Sequence, residues 1–226
     1  HEQRLTHPAT RRVAEIVLSD SWRFETRGPN VCILDSLRFV ARDQELGRKL
    51  GVVVPGQVNS YSASFKVQGK LEDVRLVLDD VVPELPSHVG FLTGRRNVEF
   101  LLNGKLLPAP VLSSWMDPFY LEIELDDYLQ QGENLLQVAC TSLLEEMPRL
   151  FEPLYIVGRF EVRDQALRSC RPEMVGPWTE AGYPFYSGIG VYSQNFEIPS
   201  KYAVGARLVL MMDQVHDCCR VLVNGE

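Results

Sequence analysis

Val98-Glu99-Phe100-Leu101-Leu102-Asn103-Gly104-Lys105 decides the fold class. Val98, Phe100 and Leu102 alternate with Asn97, Glu99 and Leu101, the period of a strand with one buried face. Asn103-Gly104 then calls for two consecutive residues at positive φ, the type I′ turn of a tight hairpin. The same period extends to either side. Val74, Leu76 and Leu78 alternate with Arg75, Val77 and Asp79. Phe119, Leu121, Ile123 and Leu125 alternate with Tyr120, Glu122 and Glu124. Asp126–Gln131 reads as one helical turn closed by Gly132. Helical periodicity is otherwise weak. Thr10–Ser19 suits a short helix, or a strand over Ala14–Leu18, and Thr141–Leu150 suits one or two turns ended near Pro148. The expected class is all-β, an antiparallel β-sandwich.

An internal repeat sharpens the organisation. Tyr61-Ser-Ala-Ser-Phe65-Lys-Val67 matches Tyr192-Ser-Gln-Asn-Phe196-Glu-Ile198. Val74-Arg-Leu-Val-Leu78 matches Ala206-Arg-Leu-Val-Leu210. The opening stretch matches Cys219-Arg-Val-Leu-Val-Asn224-Gly225-Glu226. Order and face parity agree throughout, and the first copy carries a Pro- and Gly-rich loop insertion over Val82–Gly94. The expected layout is a lead-in over 1–19, a complete sandwich over 20–163 and the first part of a second, truncated sandwich over 164–226.

Composition narrows the function classes. Of 226 residues, 45% are hydrophobic and 23% charged, ample material for a packed core and against disorder. No apolar run reaches the ~18–20 residues of a membrane helix, so no membrane partner is expected. The net charge of −7 argues against a nucleic-acid partner, which needs a basic face. Five cysteines, Cys32, Cys140, Cys170, Cys218 and Cys219, form neither a disulfide framework nor a zinc spacing. They favour a reducing, cytoplasmic address, with a periplasmic or secreted parent left open.

At Phe100-Leu-Leu-Asn103-Gly104, Trp115-Met-Asp117 and Gly132-Glu133-Asn134-Leu-Leu-Gln-Val138 the sequence resembles the galactose-binding-like (jelly-roll) sandwich domains of large bacterial glycoside hydrolases. It also looks like the sugar-binding domain of family 2 glycoside hydrolases. The longer block Gly176-Pro-Trp178-Thr-Glu-Ala-Gly182-Tyr183-Pro-Phe-Tyr186-Ser-Gly188 is similar to an element in accessory β-domains of α-L-rhamnosidase-like proteins. Leu154-Tyr-Ile-Val-Gly158-Arg-Phe160 resembles the lead-in strand between two such domains. The resemblance implies a non-catalytic region of a glycoside hydrolase that packs on the catalytic domain of the same parent chain, binds glycan weakly, or both. Two alternatives stand beside it: a purely structural or protein-interaction sandwich with no sugar site, and a loop contributor to the parent's active site. The resemblance also allows a structural calcium with Asp79, Asp80 and Asp213 as oxygen donors; no other cofactor is implied.

The chemistry-bearing residues are weighed in the same way. Glycoside hydrolysis needs two carboxylates about 5–10 Å apart across one substrate. Asp79-Asp80, Asp126-Asp127 and Glu145-Glu146 are sequence neighbours in turns or at strand ends and read as solvated caps. Glu122 and Glu124 share a strand face and read as exposed same-sign charges. His7, His88 and His216 lack metal-ligand spacing. The aromatic group Trp178, Tyr183, Phe185 and Tyr186, with Glu180 and Arg171 as hydroxyl partners, is the first candidate for carbohydrate binding. Sugar C–H faces stack on such rings, although burial of the same rings against the sandwich explains them at least as well. Trp115 with Asp117 is the second candidate.

Overall fold

The structure is a computed structural model of the 226-residue chain. It describes residues 15–18, 22–52, 58–79, 98–113, 115–117, 120–141, 153–171, 173–174, 176–203, 207–212 and 218–226. In chain order the strands and helices are β1 (Trp22–Thr26), β2 (Asn30–Leu34), β3 (Arg38–Val40), α1 (Gln44–Lys49), β4 (Val58–Gln68), β5 (Glu72–Asp79), β6 (Val98–Leu102), β7 (Lys105–Leu106) and β8 (Val111–Leu112). They continue with β9 (Tyr120–Glu124), β10 (Gly132–Thr141), β11 (Leu154–Arg159), β12 (Glu161–Arg163), β13 (Ala166–Arg168), β14 (Glu173–Met174), β15 (Gly190–Ser193) and α2 (Ser200–Ala203). The all-β, antiparallel sandwich expected from the alternation is what these strands build.

Two sheets face each other. One runs β12-β13-β4-β10-β6-β7, with β3 also on β4; the other runs β2-β11-β5-β9-β8. Pairings are antiparallel except β13 with β4. Alternate residues of each sheet fill the space between them. Phe65, Val67, Phe100, Leu102, Leu136 and Val138 come from one side, and Val74, Leu76, Leu78, Leu121, Ile123 and Ile156 from the other. Of the residues that the period-2 pattern assigns to the core, Val74, Leu76, Leu78, Phe100, Leu102, Leu121, Ile123 and Leu125 are buried there, Val98 is partly buried, and Phe119 lies outside the described residues. A fully buried Leu or Phe of this kind contributes about 1.5–3 kcal/mol by leaving water.

The structure departs from the pattern in three places. Leu101, on the nominally outer face of β6, is buried because α1 covers it: Leu46, Val58, Leu101 and Ala139 form a second cluster. Asp43 caps that helix, accepting from Leu46 N at 2.9 Å and from Ser60 Oγ at 2.6 Å. Leu154–Arg159 is no lead-in: it lies between β2 and β5 in the interior of its sheet, with Leu154 and Ile156 in the core. Cys219 and Arg220 carry no strand. Residues 15–18 are without regular structure; the rest of the expected N-terminal element, residues 142–150 and the insertion over 82–94 lie outside the described residues.

The turn chemistry follows the sequence. Asn103 and Gly104 have φ of 54° and 77°, and Leu102 pairs with Lys105 across the turn. Asn224 and Gly225 have φ of 53° and 88°, and Val223 and Glu226 exchange both backbone bonds. Gly132, at φ 88°, follows the Asp126 turn as expected.

Contacts divide the chain after Ser193. In the first unit, a third sheet orders β14-β1-β15, so Phe24 is opposite Tyr192. The second unit, from Gln194, contains α2 and the Asn224-Gly225 turn. Its apolar residues face water: Leu208 is 60% exposed, Leu210 51% and Val223 54%.

Candidate functional site

The Trp178–Gly188 block folds into a small aromatic core. Ala181 N and Tyr183 N donate to Pro177 O and Trp178 O at 3.1 and 3.0 Å, which winds the segment tightly enough to turn its rings inward. Tyr183 and Tyr186 are buried with Ala181 and Phe24, and Trp178 packs against them. Phe24 meets Tyr183 edge-on at 5.2 Å, while Trp178 lies nearly parallel to Tyr192 at 6.5 Å. Gly190 makes room for this arrangement, since a Cβ there would sit 2.6 Å from Trp178 Cε3 and 2.8 Å from Phe24 Cε2.

Buried polar groups hold this core to the sandwich. Asn30, 2% exposed, donates through Nδ2 to Phe160 O at 2.8 Å and Gly182 O at 2.9 Å. Glu161, 3% exposed, accepts from Arg163 Nε at 2.8 Å, Arg171 N at 2.8 Å and Arg171 Nε at 3.2 Å. A buried carboxylate is tolerable only when paired in this way. Gly182, at φ 113°, lies so close that a Cβ would come 2.9 Å from Glu161 Cβ. Burial, with a hydrogen bond to Cys170, pushes the Tyr183 phenol far above its ordinary range.

The first candidate set is therefore only partly brought together. Trp178, Tyr183 and Tyr186 meet, but the two tyrosine rings have neighbours on their faces instead of water. The Arg171 guanidinium is held by Glu161. Glu180 is exposed. Phe24 and Tyr192 complete the cluster; Tyr192 stands out in the sequence only as part of the repeat, and the pairing of β1 with β15 brings both rings there.

The second candidate gains partners. Trp115 and Asp117 lie in the loop between β8 and β9, where Asp117 N donates to Trp115 O at 2.7 Å. Asp117 is exposed and Trp115 half-buried. Trp115 lies 5.8 Å from Tyr120, their planes 22° apart, and 6.2 Å from Tyr155. Tyr120 and Tyr155 are themselves 6.2 Å apart. These rings pack on Val31, Val77 and Val157, on the outer face of the five-stranded sheet. Beside them, Glu122 accepts from Arg75 Nη1 at 3.2 Å and Ser113 Oγ at 2.7 Å. Glu122 is thus a half-buried ion-pair member, unlike exposed Glu124. Its alternation placed Tyr120 on this face; nothing local to the sequence placed Tyr155 beside it.

The Gly-Glu-Asn motif does structural work. Asn134, 1% exposed, donates to Gln130 O at 2.8 Å and Gly132 O at 3.1 Å, and accepts from Gln130 N and Asn103 Nδ2 at 2.9 Å each. Asn103 Oδ1 accepts from Leu135 N at 3.0 Å. Asp126 caps the end of β5, accepting from Val74 N at 2.9 Å, consistent with its reading as a cap. Among the described residues no three His, Cys, Asp or Glu side chains group as metal ligands would. Asp80, Asp213, His7, His88 and His216 lie outside the described residues, as do Glu145 and Glu146. The five cysteines are free thiols.

No protein-family model and no curated protein matches the chain. Among solved structures it is similar to β-glucuronidase from Ruminococcus gnavus in complex with D-glucuronic acid. The TM-score is 0.38 and the identity 11%, over 62% of this chain and 31% of that one. It is similar to an uncultured Clostridium sp. β-glucuronidase at TM-score 0.38 and 14% identity, over 62% of this chain and 32% of the other. The chain therefore spans about a third of the length of these structures. The assignment of the fold rests on the chain's own strand order and core.

Proposed function

We propose that this chain is a non-catalytic, carbohydrate-associated β-sandwich region of a bacterial glycoside hydrolase, of the galactose-binding-like kind. In this reading it packs on the parent's catalytic domain and binds glycan weakly. One observation carries it. The two short motifs behind the resemblance, Asn103-Gly104 and Gly132-Glu-Asn134, meet through the Asn103–Asn134 hydrogen bond at one end of a two-sheet sandwich. Motifs that met only by chance in sequence would have no reason to share that bond. In the same proposal, residues that follow β13 contribute to a second and related sandwich, since Ala166–Arg168 pairs with β4 in the first; the shared geometry of the two Asn-Gly turns supports it.

The reading is tested by incubating the pure chain with aryl galactosides and rhamnosides and, separately, with a panel of immobilised plant and microbial glycans. Binding to at least one glycan without hydrolysis is expected. Hydrolysis by the chain alone would overturn the non-catalytic role, and silence across the panel would overturn glycan association. A second reading, a purely structural module, is favoured by the burial of Tyr183 and Tyr186, and silence across the panel would leave it standing.

A further inference from the structure

The outer face of the five-stranded sheet carries more aromatic surface than its packing requires. Val77 and Val157 are fully buried there and Val31 nearly so. Aliphatic neighbours would suffice to dry them. Instead Trp115, Tyr120 and Tyr155 lie over them, all three partly buried. The register explains their convergence. Tyr155 and Glu122 flank Val77 in one cross-strand row, and Tyr120 stands two residues before Glu122 on the same face. With ring centroids 5.8–6.2 Å apart, Trp115 stacked on Tyr120 and Tyr155 tilted 46–57° to both, the three side chains form one aromatic cluster.

Such a surface has a definite chemistry. Ring faces carry partial negative charge and attract polarised C–H groups, which a pyranose ring presents on one side. A sugar also needs fixed acceptors for its hydroxyls. Glu122 supplies one, since its bonds from Arg75 and Ser113 both go to Oε2, and Oε1 receives none among the described residues. The surrounding charge selects further. Arg75 is neutralised by Glu122, while Glu124, two residues on, is an exposed carboxylate. Together with a chain net charge of −7, it disfavours an anionic ligand.

We infer that this face is a binding site for a neutral, pyranose-containing glycan, stacked on the Trp115–Tyr120–Tyr155 surface with Glu122 Oε1 accepting a hydroxyl. The inference rests on the carbohydrate-associated reading above and adds the site and the charge class of ligand.

The test is affinity electrophoresis of the full chain in gels holding galactan, arabinoxylan or mannan, with polygalacturonate as the anionic probe. At least one neutral polysaccharide should retard the chain, and polygalacturonate should not. Trp115→Ala and Tyr155→Ala should each weaken retardation roughly tenfold, the equivalent of ~1.4 kcal/mol. Glu122→Gln keeps the shape and should weaken it by a smaller factor. Phe39→Ala, which removes an exposed aromatic pair with Tyr61 on the opposite sheet, should migrate like the parent. Circular dichroism establishes that each variant is folded; if Trp115→Ala is not, Trp115→Leu and Glu122→Gln decide. Retardation that survives these substitutions, or that is equal in polygalacturonate, overturns this site and leaves the broader reading intact. Retardation by no polysaccharide overturns both.

Discussion

Cys32 and Cys140 show how far a residue's chemistry depends on surroundings that its neighbours in sequence do not reveal. Both read as small, isolated thiols. In the fold, burial pushes Cys140 from 9.0 up to about 11, and burial together with the charge of Asp35 does the same for Cys32. Both folded values are raised, so the protonated form is the one folding favours. The stability this represents is fully present below pH 9.0 and is lost as pH rises towards 11. Alkaline titration of Tm should therefore show a fall across that window, reduced in a Cys32→Ala/Cys140→Ala double variant relative to its own neutral-pH value. An unchanged slope would contradict the burial argument. Trp178, Tyr183 and Tyr186 teach the complementary lesson. Their aromatic character was visible, but whether a ring meets sugar or protein depends on Phe24, more than a hundred residues away in the chain.

At the scale of elements, alternation was legible wherever one face of a strand meets the core. β5, β6 and β9 follow it because the side-chain period is two and one face of each meets the sandwich interior. It failed where a second layer covers the other face: at Leu101 beneath α1, and at Val77 beneath the aromatic surface. The helix itself was missed, although Asp43 before a Glu45-bearing first turn is a usable start signal. The β6–β7 hairpin and the start of β10 are joined through Asn103 and Asn134, and this tie makes a measurable claim. Asn134→Ala removes four hydrogen bonds from a buried position and leaves several backbone groups without their partners. A loss of about 2–3 kcal/mol in urea denaturation is expected. A loss below ~0.5 kcal/mol would mean that water replaces the side chain without cost.

The whole molecule combines a well-packed sandwich with a region whose apolar residues face water. Leu76, Leu78, Phe100 and Leu102 are at most 2% exposed, whereas their repeat counterparts Leu208, Leu210, Val221 and Val223 are 46–60% exposed. Hydrogen exchange should register the difference: slow amides in β6 and β10, fast ones across 207–212 and 219–223. Equal protection of both regions in a monomer would show that the second set is packed. The sequence alone determined the class, through strand periodicity, and the turns, through Asn-Gly pairs, because both depend on local backbone geometry. It also pointed to Trp115 and Trp178. Only the tertiary structure decided that the Trp178 rings form a core and that Trp115 joins Tyr120 and Tyr155 on an outer face. The physical reason is that burial and ring stacking are settled by long-range strand pairing, β1 with β15 and β11 with β5, and no local pattern encodes which distant strands will meet.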